Sequence, residues 1–323
     1  MSTQTLSPQT PAGSTVALRP VVSRPKSDAG HRFRLFLGYA VAIGLILAIT
    51  AYGFDYYMLD ATLRPFSAKH ELLKPSGIIG LKLGFLGLAM FLVIFLYPIR
   101  KHWAWLGRQG SSRHWLDFHV LLGLSAPFVI ALHSSFKFRG FAGMAFWIMT
   151  AVSLSGVVGR YLYGQIPRRV SAAELSLKES RDLQAELTAH LAAQKLISEK
   201  DLRPLFRIPT EEQVAHLPIL VVLPYMMALD MARPFHVARL RARTLSGTEW
   251  LTTLGGLFPS HNAHLENAIE LAREQATLSK RVVFYSRAQQ FFHLWHIVHK
   301  PFSYSFAVLA VIHITVVWLL GYM

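Results

Sequence analysis

The stretch LDFHVLLGLSAPFVIALHSSF, residues Leu116–Phe136, reads as a membrane helix carrying two ionisable rings. It is apolar over the length a helix needs to cross a bilayer, about 20 residues, yet it carries His119 and His133. Fourteen residues separate the two histidines. That is close to four helical turns, so both rings leave one face of the helix, ~21 Å apart along its axis. A second apolar stretch, PFSYSFAVLAVIHITVVWLLGY over Pro301–Tyr322, has His299 just before it and His313 within it, again fourteen apart. No other two of the 15 histidines have this separation. An ionisable ring inside a membrane helix is costly and marks a functional site.

The same apolar length recurs at Leu35–Phe54, Ile78–Pro98 and Phe141–Tyr163. With 52% hydrophobic residues and a mean hydropathy of +0.34, the chain reads as an all-α integral membrane bundle of about five transmembrane helices. Residues 1–30, rich in Ser, Thr, Pro and Gly, read as a disordered tail. Residues 31–163 form a four-helix transmembrane part, 164–298 a long helical insertion, and 299–323 a C-terminal transmembrane helix.

The charge pattern orients these spans. Arg32 and Arg34 precede the first span, and Arg100, Lys101, Arg108 and Arg113 follow the second. The insertion adds many more cations, whereas the opposite side holds Arg64, Lys69, Lys74, Lys137 and Arg139. The positive-inside rule then puts the N-terminus and the insertion in the cytoplasm and the C-terminus outside, in an inner (cytoplasmic) membrane. The net charge of +15 is explained by membrane lipid as partner rather than nucleic acid. There is no cysteine, which excludes a covalent c-type haem, a Cys-ligated iron–sulfur cluster, a disulfide and a thiol nucleophile.

Within the insertion, Pro218–Met231 is apolar but short and interrupted by Pro224, and it reads as an interfacial or buried helix rather than a span. Ser171-x-x-Glu174 is a capping-box pattern opening a helix to about Ile197. A further helix is expected over His261–Leu278, and another from Lys280 leads into the final span.

With five spans, the third and fifth run parallel. His119 then pairs with His299 near the cytoplasmic face, and His133 with His313 near the outer face. Two such pairs suit two non-covalent, bis-histidine haems b as iron ligands. Small residues beside the ligands leave room for a flat ring: Gly123 and Ala126 on the His119 face, Ser303 and Ala310 on the His299 face. Small residues also simply permit close helix packing. Arg113, Arg160 and Lys300 are candidate propionate partners inside, with Lys137, Arg139 and Ser134 outside, and each is equally an ordinary snorkelling anchor. In His293-x-x-His296-x-x-His299, His296 is an alternative to His299 as inner ligand, and the three-residue steps also allow a zinc site.

On His119-x13-His133 and the run Trp295-His296-x-x-His299-Lys300-Pro301 leading to His313, the chain resembles the di-haem b-type membrane cytochromes, a class spanning ferric-reductase-like, cytochrome b561-like and cytochrome b groups. The resemblance covers spans three to five. It implies a helical bundle, two haems b and electron transfer across the bilayer. Unlike in the ferric reductases, nothing in these residues reads as a flavin or nicotinamide domain, with no G-x-G-x-x-G after a strand. Other redox subunits are therefore expected as partners. A quinol, a flavoprotein or an iron–sulfur protein would donate electrons and a c-type cytochrome would accept them, or the flow would run in reverse, with a quinone as a further candidate cofactor. The rival readings are a haem-free membrane anchor or assembly subunit of a larger complex, and a histidine-based metal transporter. Asp117 is the sole acidic residue within a span, at its edge, which counts against the transporter.

Overall fold

The structure, a computed structural model, describes residues 28–100, 102–166, 208–245 and 253–322. The expected tail, the capping box at Ser171 and the helix running to Ile197 lie outside the described residues. The described residues form helices and no strand. In chain order they are α1 (Ala29–Tyr52), α2 (Phe54–Met58), a 3-10 turn (Arg64–Phe66), α3 (His70–Leu73), α4 (Ile78–Ile99), α5 (Ala104–Gly107) and α6 (Ser112–His133). After these come α7 (Gly140–Gln165), α8 (Glu211–His216), α9 (Ile219–Thr244), α10 (Ala263–Val283) and α11 (Tyr285–Leu319).

Five of these are long and apolar enough to cross a membrane: α1, α4 with α3 before it, α6, α7 and α11. Their outward faces carry large apolar side chains such as Phe36, Leu47, Leu92, Phe128, Leu154 and Trp318, all exposed. A water-soluble bundle would place such a belt inside; here it faces outward, as lipid requires. The chain is an all-α membrane bundle. Helix α9 is not among the five. Its first half is apolar, but Arg233, Arg239, Arg241 and Arg243 follow in the second.

At the centre stands α6, packed on α4, α7 and α1, while α11 packs chiefly on α7. Gly84 and Gly87 leave a bare face on α4 that lets α6 approach closely, and a Cβ at Gly87 would stand 2.3 Å from Ile130. This is the small-residue packing that membrane helices use in place of a hydrophobic drive. The apolar core holds Leu83, Met90, Ala126, Val129, Leu132 and Met149, with Phe306 of α11 packed against it.

The ends of the spans differ from the apolar runs. Helix α6 stops at His133 rather than Phe136, because Ser135 and Phe136 take left-handed φ values of 49° and 58°. That turn is held by Arg64, a buried guanidinium that donates to the carbonyls of Ser135 (2.5 Å), Tyr57 (3.0 Å) and Leu59 (3.0 Å). Ser135 Oγ also donates to Leu73 O at 2.7 Å. The final helix begins at Tyr285, well before Pro301, which lies inside it. A membrane helix tolerates such a proline where neighbouring helices support it. The helix expected over His261–Leu278 runs from Ala263 to Val283, and Phe284 separates it from α11.

Beyond the bundle, α9 is tied to α7 and α10 through Asp230. Its carboxylate accepts from Tyr161 Oη (2.8 Å), Gln165 Nε2 (3.4 Å) and Lys280 Nζ, and it pairs with Arg233 (3.4 Å). Arg241 of α9 binds Glu266 of α10 at 2.5 Å. The face of the bundle where α1 begins is the proximal face, and the opposite face is distal.

Candidate functional site

Helices α6 and α11 bring the four expected histidines together in twos. His119 lies within electrostatic reach of His299, and His133 within reach of His313. The two helices therefore run parallel, with one pair toward the proximal face and the other toward the distal face. All four rings are half-buried. Among the described residues, no three or more His, Asp or Glu side chains gather as they would around a zinc ion. His293 is exposed, and His296 packs against Phe292 and Trp295.

What holds each ring fixes its chemistry. His119 Nδ1 is 3.1 Å from Ile94 O, and His133 Nδ1 is 2.8 Å from Gly80 O. A carbonyl only accepts, so in both neutral rings Nδ1 carries the proton and Nε2 keeps its lone pair. His299 reaches the same state by another route. Its Nδ1 lies 2.7 Å from Ser155 Oγ, and that hydroxyl gives its proton to Val152 O at 2.8 Å. Ser155 therefore accepts from His299. Three of the four rings thus present a bare Nε2, the atom a metal would bind.

The local sequence explains these contacts. Pro98 has no N–H, and the carbonyl four residues before it in α4 is that of Ile94, which becomes free for His119. Pro127 does the same for Gly123 of α6, whose carbonyl accepts from Ser153 Oγ at 2.8 Å. His133 lies over Gly84, where a Cβ would meet its ring at 2.8 Å. Trp295 seats against Gly159, where a Cβ would be 2.2 Å from its ring, and its indole N–H donates to Ser155 O at 2.8 Å. The same indole stacks on His299 with centroids 4.5 Å apart.

The other expected site residues fall as follows. Nothing stands within 4 Å of a Cβ built at Gly123, so the space beside it is open. Ala126 is buried in the apolar core. Ser303 Oγ folds back to its own helix, donating to His299 O at 2.7 Å, and Ala310 is half-buried. Arg160 is committed elsewhere, bound to Asp117 at 2.8 Å, and His31 holds the other oxygen of that buried carboxylate at 3.0 Å. Arg113, Lys137, Arg139 and Lys300 are exposed, and Ser134 Oγ donates to Ala131 O.

Sequence reasoning missed the ring-holding groups at Gly80, Ile94 and Ser155. Pro98 was an available signal, four residues beyond the Ile94 carbonyl that ends up serving a neighbouring helix. Gly84 was another, since it opens the face that His133 occupies. No protein-family model matches this chain, and no curated protein or solved structure matches it significantly.

Proposed function

We propose that this chain is a membrane-bound di-haem cytochrome b subunit that passes electrons across the bilayer. The observation that carries this reading is the shared state of His119, His133 and His299. Each has its Nδ1 proton engaged and its Nε2 bare, and the histidines stand in two pairs at two levels of one bundle. The donor set fits the group: imidazoles in pairs, with open space beside Gly123 on the ligand helix. His119 with His299, and His133 with His313, would hold the two irons. When bound, haem b supplies one-electron exchange at a potential tuned by its ligands and their hydrogen bonds.

The chain's own residues do the rest. Ile94, Gly80 and Ser155 fix ring orientation and tautomer, as outer-shell carbonyls and hydroxyls do for metal-bound histidines. Trp295 and Gly159 seat the proximal end of α11 on α7. The Asp117–Arg160–His31 cluster neutralises its own charges beside the proximal pair. Arg113 and Lys300 at the proximal face, and Lys137 and Arg139 at the distal face, are exposed cations suited to propionate carboxylates. The positive-inside pattern makes the proximal face cytoplasmic. A quinol, a flavoprotein or an iron–sulfur protein would then deliver electrons there, and a c-type cytochrome would collect them outside.

The test is a dithionite-reduced minus oxidised spectrum of the purified chain in detergent, with haem quantified per chain. Two b-type haems are expected. His133→Ala should leave one, and His293→Ala should leave both. A folded preparation without haem overturns the reading and favours the anchor or transporter.

A further inference from the structure

The two histidine pairs are not held equally. In the proximal pair both rings donate from Nδ1, His119 to Ile94 O at 3.1 Å and His299 to Ser155 Oγ at 2.7 Å. In the distal pair His133 donates to Gly80 O at 2.8 Å, while His313 has no hydrogen-bond partner among the described residues. The difference is built into the sequence. Pro98 frees the Ile94 carbonyl by lacking an N–H. Ser155 spends its single proton on Val152 O and is left as an acceptor. Trp295 braces that acceptor through Ser155 O and stacks on His299.

Donation from Nδ1 makes an imidazole a more basic ligand. A more basic axial ligand favours the oxidised metal and lowers its reduction potential. The Asp117 carboxylate changes this little, because it is already paired with Arg160 at 2.8 Å.

We infer that the proximal haem has the lower potential, and that Pro98 and Ser155 are the positioning residues that set it. This rests on the di-haem reading proposed above. Single electrons then run downhill from the proximal to the distal face. A reduced flavin or iron–sulfur donor loses one electron at the proximal face, and an oxidised c-type cytochrome gains one at the distal face. No ligand proton moves, since the rings stay neutral throughout.

The experiment is a potentiometric titration of the full chain in detergent, read by α-band absorbance, with haem counted in each sample. It compares the wild type with His133→Ala, Ser155→Ala, Ser155→Thr and Pro98→Ala. Two waves are expected in the wild type, and the lower one should survive in His133→Ala. Ser155→Ala and Pro98→Ala should each raise the lower wave and leave the upper wave in place. Ser155→Thr keeps the hydroxyl and should move neither. If Ser155→Ala loses the proximal haem, Pro98→Ala, which only returns a backbone N–H to Ile94 O, decides the matter. The inference is overturned if both haems bind but His133→Ala removes the lower wave, or if neither variant shifts it. That outcome leaves the di-haem reading standing, whereas a haem-free, folded wild type removes both.

Discussion

His133 occupies the space that a side chain at Gly84 would fill. A Cβ built on Gly84 stands 2.8 Å from the ring's Cε1 and 2.9 Å from its Nδ1, closer than real contacts permit. The same ring atom Nδ1 is held by Gly80 O one turn earlier in α4. Gly84→Val should therefore push the imidazole off its carbonyl while leaving His119 and His299 untouched. On the di-haem proposal, the expected outcome is loss of one haem, the distal, with retention of the other, read as the haem-to-chain ratio. A variant that keeps both haems would show that the position of His133 does not depend on this contact.

Arg64 ties the distal loops together through three carbonyls, and one of them belongs to Ser135, two residues after His133. Arg64→Met keeps the apolar stem and removes the donors, stranding buried carbonyls. Each lost charge-assisted bond is worth about 1.5–3 kcal/mol at most, so the melting temperature should fall clearly. Because the Ser135 turn ends α6, loosening should appear first at the distal pair. Hydrogen exchange over 130–140 checks this, with faster exchange there than over 115–125.

The five apolar helices are legible in the sequence because a membrane span needs length and little charge, and both can be read residue by residue. The matched histidines are legible for the same reason, as ionisable groups stand out in such runs. Helix ends are less so. Tyr285–Val298 is too polar to read as part of a span, with Gln289, Gln290, His293 and His296, and it stays helical because Trp295 seats in the notch at Gly159. The groups that hold the rings are hidden for a different reason. Ile94 and Gly80 act through carbonyls, which every residue has, so identity says nothing of them. Arg64 looks like one more interfacial cation until its three carbonyl partners, up to 71 residues away, are brought to it.

Lys280 is fully buried, and burial pulls its ammonium below its ordinary pKa range even though Asp230 opposes the shift. Asp230→Ala should leave that cation without its carboxylate and also cut the bond from Tyr161 that links α9 to the bundle. Removing one partner of a buried pair costs about 3 kcal/mol. Replacing both, as in Asp230→Leu with Lys280→Met, should recover most of the loss. Thermal unfolding followed by circular dichroism distinguishes the two. A double variant no more stable than Asp230→Ala would mean that the pairing is not what matters there.

The link between α9 and α10 should be pH-dependent. Burial raises the pKa of Glu266, but the guanidinium of Arg241 and the Ser260 N–H outweigh it and hold the carboxyl below its ordinary value. A carboxyl depressed in the folded state contributes stability above its unfolded pKa, and that contribution is lost as pH falls through the folded one. With unfolded glutamate near 4.3, the loss should begin as pH falls toward about 4.3 and be complete only below the lower, folded value. There the buried Arg241, 8% exposed, is left facing a neutral acid. Hydrogen exchange of Ala263–Val283 measured at about pH 6 and about pH 3.5, corrected for intrinsic rates, should show reduced protection at the lower pH. Glu266→Gln keeps the shape and removes the titration, so its protection should be lower at the higher pH and change little between the two. If wild type and variant respond to pH identically, Glu266 does not control this helix pair.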